Sequence, residues 1–509
     1  MRGRRGRVSL TDQRAREPAA VVPQDDAGTT AVDPRIRAVV LAGSTVAVGM
    51  WLIAMTWGWQ LDETLTAWVT GDGAGGAISR AQEYQGQSPL YFAGLWGWRQ
   101  IVGNSEFWLR VPSALAVIAT AWHVLRLGRE WDRDTTGWVA AGMLLTTVNV
   151  ATRATTARPY AFLVLLAVWA MRLLWRWVQT GERRPAVGWA VSAAAMMYLS
   201  PFAAVVLVVH AGVLVAYRRT VLRTAVFVIP LAVFLTLPLL PQLASLAGRA
   251  SALVTSTHPT PGQALIDVVP LGALLVVAAA VLLRRKGDHW PHAPALIAAA
   301  WAFVPPLLLL AAGIATGDPM WVSRYWVAAT PGLTLLAGMA IARVGSMPGQ
   351  LPRAVILTAI LMVQGLLAMV ASREDHQQSW REAIAWARAE TAGEETLTLV
   401  SSGLVEALDP DEVADPDSFA YLSAPAQVYG LNDPIRPLPL GRASTAEAFL
   451  EELDLDAGTI VLVAPPELGI WPDYDTLVAQ RLEPEGYRAT DPVPGFDDMV
   501  VRVFRKPSG

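Results

Sequence analysis

The sequence predicts a polytopic α-helical membrane protein with a separate C-terminal α/β domain. Three observations predict it. The 509 residues are 53% hydrophobic and only 16% charged, against about 25% charged residues in soluble domains. Apolar stretches long enough to cross about 30 Å of hydrocarbon recur from residue 36 to residue 371. Charge then reverses: residues 1–371 carry 30 Lys and Arg against 17 Asp and Glu, whereas residues 372–509 carry 10 against 26. With no cysteine, disulfide frameworks, thiolate metal sites and cysteine nucleophiles are excluded. Only Lys286 and Lys506 are lysines, a bias in keeping with GC-rich bacterial coding.

Residues 1–34 are polar and read as a disordered cytosolic tail. Arg2, Arg4, Arg5 and Arg7 precede the first apolar run and hold the N-terminus in the cytosol. That run, 36–58, exceeds a signal-peptide core and is followed by no small-residue cleavage site, so it reads as a retained span.

Ten further spans are placed near 107–127, 136–156, 160–178, 186–200, 201–217, 222–240, 263–283, 293–314, 326–343 and 352–371, giving about 11. The basic segments Arg126–Arg133, Glu182–Arg184, Arg218–Arg223, Arg284–Lys286 and Arg343–Arg353 then share the cytosolic side, as the positive-inside bias requires. The odd count places residues 372–509 outside. The first outer loop, 59–106, includes a Trp-rich stretch at 89–103 that reads as a helix lying in the membrane interface. In residues 372–509, WREAIAWARAE (380–390) and AEAFLEELD (446–454) read as helices. TLTLVSS (396–402) and TIVLVAPP (459–466) read as buried strands.

The candidate chemistry lies in the outer segments. Asp62 and Glu63 follow the first span, and carboxylates at a membrane surface are more comfortable beside a water-filled cavity than against lipid; as ordinary loop residues they would simply be solvated. Arg158, with Arg153 just before it, and Arg324 stand at outer span ends, against the positive-inside bias. A guanidinium offers a planar fork for phosphate oxygens; the plainer alternative is snorkelling to headgroups. Glu106 and Arg110, four residues apart, suit a local ion pair.

Other motifs are weaker. GDGAGG (71–76) fits the dinucleotide spacing through Gly71, Gly73 and Gly76 but lacks the preceding strand, so it reads as a loop. Asp415–Asp417, Asp454–Asp456 and Asp473–Asp475 share an alternating acidic spacing that an acidic domain produces by chance. The six histidines are scattered, so no zinc centre is expected; a divalent ion beside Asp62 and Glu63 is left open, and otherwise no cofactor is expected. Nothing points to nucleic acid.

The order of motifs resembles a known group. LDE (61–63), SPLYF (88–92), SEFWLRVPSALAV (105–117), ARPYA (157–161) and SRYWVAATPG (323–332) together resemble the membrane GT-C glycosyltransferases, in particular the glycosyltransferase 39-like, protein mannosyltransferase and aminoarabinose transferase group. The resemblance spans about residues 36–345 and implies a GT-C-like catalytic domain. It implies Asp62 as catalytic general base with Glu63 beside it, Arg158, Arg324 and Tyr325 on the donor phosphate, and Tyr160, Gln87 and Tyr91 in the substrate pocket. The group often has His where this chain has Gln87 before Ser88-Pro89-Leu90-Tyr91, so a histidine role does not transfer. The implied reaction moves a sugar from a polyprenyl-phosphate donor in the bilayer to an extracytoplasmic acceptor hydroxyl on protein, lipid or glycan, with inversion. A modest upward pKa shift by partial burial is expected to suit Asp62 to its task. The rival classes are a transporter or flippase, which would carry ionisable groups or broken helices at the bilayer midplane, and a non-catalytic envelope-assembly protein.

Overall fold

Helix α1, Pro34–Ala54, begins where its sequence says it should: Pro34 takes the first helical position and the Asp33 carboxylate accepts the Arg35 N–H at 2.8 Å. The computed structural model describes residues 32–83, 89–241, 243, 290–317, 320–345, 359, 362–363, 379–431, 434–453, 457–467, 471–491 and 498–507. The expected spans 263–283 and, apart from residues 359, 362 and 363, 352–371 lie outside them.

The segment read as the first outer loop holds three helices, α2 (Leu61–Val69), α3 (Gly73–Glu83) and α4 (Pro89–Val102). GDGAGG therefore opens a helix and follows no strand, with Gly73 at φ +75°. The long α5, Glu106–Trp131, is capped by Ser105, whose hydroxyl accepts from Trp108 N–H. The expected span 136–156 is divided: α6 (Asp134–Thr146) and α7 (Val148–Ala154) are separated by Thr147 in an extended conformation. Then follow α8 (Tyr160–Thr180), α9 (Arg183–Leu199), α10 (Ala203–Ala216) and α11 (Arg218–Thr236). Beyond residue 290 come α12 (His292–Thr316), the single turn α13 (Ser323–Trp326) and α14 (Thr330–Gly345).

Among the described residues six helical stretches are long and apolar enough to cross a membrane: 34–54, 106–131, 160–180, 218–239, 292–316 and 323–343. The chain is a multi-pass membrane protein. Its outward face is apolar, as on α11, where Leu222, Val226, Phe227 and Phe234 are each at least 60% exposed. Inside, small residues bring backbones together. A Cβ on Gly128 of α5 would stand 2.6 Å from the Gly137 Cα of α6, so neither position has room for a side chain.

Residues 379–507 carry a five-stranded sheet in the order β2-β1-β3-β5-β4. The strands are β1 (Thr396–Val400), β2 (Ile435–Pro437), β3 (Thr459–Ala464), β4 (Arg488–Ala489) and β5 (Val500–Arg505). Strands β2, β1 and β3 run parallel, Thr398 lying opposite both Ile435 and Val461, and β5 is antiparallel to β3. Every residue of β3 is buried, as its unbroken apolar run requires. Helix α15 (Trp380–Glu390) covers one face through Trp380 and Ile384; α16 (Ala443–Glu452) and α17 (Tyr474–Leu482) cover the other.

This domain sits on the segment 59–106. The Trp59 N–H donates to Tyr429 Oη at 2.7 Å, with the two rings 5.2 Å apart. Trp68 Nε1 donates to Gln427 Oε1 at 3.1 Å, and Arg381 pairs with Glu106 at 3.4 Å. Glu106 therefore marks the domain-facing end of α5. Asp132, beyond its other end about 39 Å away, pairs with Arg343 at 3.0 Å.

Candidate active site

Helix α2 presents Asp62 in its first turn, and three chain segments converge on it. Arg324 of α13 donates from one terminal nitrogen to Asp62 Oδ2 at 3.0 Å. Arg158, in the short link between α7 and α8, is 6% exposed; it donates to the Asp62 carbonyl at 3.2 Å and lies 3.9 Å from Oδ2. Arg153 stands behind them with its guanidinium over the Tyr160 ring at 5.7 Å. The link can approach α2 because α7 ends at Ala154 and α8 starts only at Tyr160. Asn149 ties α7 to α13 by donating to the Ser323 carbonyl at 3.3 Å.

Three guanidinium groups thus face one carboxylate. The Nε atoms of Arg153 and Arg324 are buried without a hydrogen-bond partner. Burial pushes the Asp62 carboxyl upward, but Arg158, Arg324 and Arg153 together more than offset this and hold it below the usual carboxylate value. The modest rise expected from the sequence is not what the structure shows, because that reading counted burial without the three cations. Asp62 is about one-third exposed and is ionised near neutral pH.

Glu63 is not at this opening. Its side chain is fully buried and bound by Arg110, Nε to Oε1 at 2.8 Å and a terminal nitrogen to Oε2 at 2.5 Å. It also accepts the N–H groups of Gln60 and of Ala157, the latter at 2.7 Å. Arg110 in turn donates to the carbonyls of Met55, Trp57 and Gly58. The Glu63–Arg110 pair therefore clamps the end of α1, the start of α2 and the residue before Arg158. Glu63 positions the site and makes no contact in the opening. The pairing expected between Glu106 and Arg110 does not form: Arg110 turns inward to Glu63, and Glu106 pairs with Arg381.

The aromatic candidates divide. Tyr325 stacks on Phe202 with ring centres 3.9 Å apart and lies beside the Arg324 guanidinium at 5.5 Å. Tyr160 is buried beside Arg153. Tyr91 is buried against Phe92 and Phe162. Gln87 lies outside the described residues. Two of the acidic pairs of the tail domain serve local structure: Asp473 caps α17, Asp475 pairs with Arg502 at 2.8 Å, and Asp415 accepts the Asp417 N–H; Asp454 and Asp456 lie outside the described residues. Among the described residues no three His, Asp or Glu side chains group as metal ligands.

Residues 86–244 match the sequence model of the family described as dolichyl-phosphate-mannose-protein mannosyltransferase. No curated protein matches the chain. Among solved structures, ArnT from Cupriavidus metallidurans in the apo state aligns with a TM-score of 0.55 at 14% identity, over 91% of this chain and 97% of ArnT. The same protein bound to undecaprenyl phosphate aligns with a TM-score of 0.58 at 14% identity, over the same shares. The chain has the GT-C fold of ArnT, the fold its motif order resembles.

Proposed function

We propose that this chain is an integral membrane glycosyltransferase that moves a sugar from a polyprenyl-phosphate donor to an acceptor hydroxyl, inverting the anomeric centre. The convergence of Asp62 with Arg153, Arg158 and Arg324 carries this reading. The family matched by residues 86–244 is described by a dolichyl-phosphate donor, and ArnT has been seen with undecaprenyl phosphate.

In the step, the acceptor oxygen attacks the anomeric carbon and its proton passes to the Asp62 carboxylate. The bond from that carbon to the phosphate oxygen breaks, and the electron pair leaves on polyprenyl phosphate. A base is useful only when unprotonated, and the guanidinium groups keep Asp62 in that state. The low basicity that follows is tolerable because the attacking hydroxyl becomes acidic as its bond to carbon forms. Arg158 and Arg324 stabilise charge gathering on the departing phosphate, and their geometry is fixed in advance by Glu63 and Asn149. Tyr325, braced by Phe202, holds the Arg324 side chain over the opening. The phosphate leaves as an anion and needs no proton, so a second catalytic acid is unnecessary.

On this reading the opening is extracytoplasmic. The N-terminus and the Asp132–Arg343 end are cytosolic, and the tail domain lies outside, where no nucleotide sugar is at hand and a lipid-linked donor is. External thiol labelling of single cysteines placed in the tail domain of this cysteine-free chain tests the orientation; labelling in intact cells is expected, and protection overturns it. Incubation of the purified protein with a panel of polyprenyl-phosphate sugars and an acceptor extract, followed by detection of released polyprenyl phosphate, tests the reaction.

A further inference from the structure

A second opening lies on the other side of α2. An open cavity of about 700 Å³ lies between the first outer segment and the tail domain, within the range of about 300–1,000 Å³ typical of small-molecule sites. Ala67, Trp68 and Gly71 of the α2 segment line it, whereas Asp62 and Thr66, four residues apart, face Arg158. The two openings therefore use different faces of one helix. Trp59, Arg80, Arg99 and Asn104 come from the first outer segment; Phe419, Ser423 and Gln427 come from the tail domain.

The charge in this cavity is one-sided. Arg99 is only 9% exposed. Its guanidinium donates to Asn104 Oδ1 at 2.9 Å, and to the Ala67 carbonyl and Thr70 Oγ1 at 2.6 Å each. All three acceptors are neutral. Among the described residues no carboxylate pairs with Arg99, and no Asp or Glu lines the cavity. Burial acting alone lowers the Arg99 pKa. A buried charge without a counter-ion is costly, and among the described residues none supplies one to Arg99, which leaves the cavity as a place for it. Arg80, which is paired with Asp72, adds a second guanidinium over the Trp68 ring at 4.1 Å. The remaining wall offers flat aromatic faces and the exposed side-chain amide of Asn104; Gln427 and Ser423 are held there by hydrogen bonds to Trp68, to each other and to the Phe419 carbonyl. Trp59 Nε1 is buried there without a partner. These groups suit a ring-shaped, hydroxyl-rich ligand.

We infer that the cavity between α2 and the tail domain binds an acidic saccharide, its carboxylate or phosphoester set against Arg99 and its rings among Trp59, Trp68 and Phe419. The requirement for an anion rests on Arg99 alone; the choice of a saccharide rests on the glycosyltransferase reading.

Calorimetry on the purified full chain in nanodiscs tests this, with trigalacturonate and glucose 6-phosphate as acidic probes. Maltotriose, inorganic phosphate and triglutamate are the controls. At least one acidic sugar is expected to bind about tenfold or more tightly than every control, the difference a charged hydrogen bond makes, and to weaken as salt is raised. Ala420→Trp, which adds bulk at an exposed lining position without removing a hydrogen bond, should abolish that binding, as should Arg99→Gln; whichever retains the wild-type Tm decides. Asp62→Asn should bind as the wild type does, so loss of transfer leaves this site intact. Failure of both acidic sugars to bind, or equal binding of maltotriose, phosphate or triglutamate, overturns the inference, as does unchanged binding in a folded Ala420→Trp protein.

Discussion

Arg324 and Asp62, 262 residues apart in the chain, meet at 3.0 Å, so the carboxylate assigned to accept a proton is held by a guanidinium assigned to the donor phosphate. Donor binding must share or displace that contact. Arg324→Ala should therefore weaken the donor more than the acceptor, with kcat/KM for the donor falling about tenfold to hundredfold. Steady-state kinetics with each substrate varied in turn checks this. A selective rise in acceptor KM would contradict the assignment.

The pH profile follows from the same contact. The folded Asp62 pKa is depressed, so the ionised form, and the stability its cation contacts contribute, are fully present above the ordinary carboxylate value of about 3.9. Both are lost only as pH falls through the lower folded pKa. The kcat/KM of the wild type should be flat on its acid side from neutrality to about pH 4. In Arg324→Ala one of the three cations is gone, and the acid limb should move upward. An acid limb near pH 6 in the wild type would mean that another group is the base.

Glu63 is expected to matter for folding first. Removing its charge in Glu63→Gln strands the buried Arg110 guanidinium, which should cost about 3–5 kcal/mol and lower Tm markedly. The double replacement Glu63→Leu with Arg110→Met removes both charges and should recover much of the loss. Thermal unfolding of the two variants in one detergent settles the order; a single variant as stable as wild type would show that the pair carries no such load.

The tail domain docks through a shared buried apolar cluster that includes Leu65, Trp68, Tyr421 and Leu422, and Tyr429 adds a direct hydrogen bond. Tyr429→Phe keeps the ring against Trp59 and removes one bond to its N–H, a loss of about 1 kcal/mol. Limited proteolysis of the tail domain should accelerate about fivefold. Unchanged cleavage would show that docking rests elsewhere, as on the Arg381–Glu106 pair.

Much of this arrangement was legible in the residues. Hydropathy placed α1, α5, α8 and α12 closely, because a helix facing lipid must be apolar along its length. Arginines against the positive-inside bias marked Arg158 and Arg324, and the resemblance marked Asp62. What stayed hidden depends on tertiary partners. Spacing of four suggested Glu106–Arg110, but Arg110 gains more from the buried Glu63 carboxylate and the carbonyls of Met55, Trp57 and Gly58 than from the partly exposed Glu106. The break at Thr147 carries no Pro or Gly to mark it, only Thr146, Thr147 and Asn149 in an otherwise apolar run. Strand β5 was missed because Arg502 and Arg505 break up its apolar run, and both form ion pairs. Arg99 gave no signal at all, since its isolation from acids exists only in three dimensions.

The most direct test of the account is a comparison of wild type with Asp62→Asn in release of polyprenyl phosphate from a radiolabelled polyprenyl-phosphate sugar, at equal folded protein and with acceptor extract present. The wild type should release it and transfer the label, whereas Asp62→Asn, with an unchanged Tm, should fall about 10²–10⁴-fold. Turnover by Asp62→Asn close to that of the wild type would contradict the central claim that this carboxylate is the base.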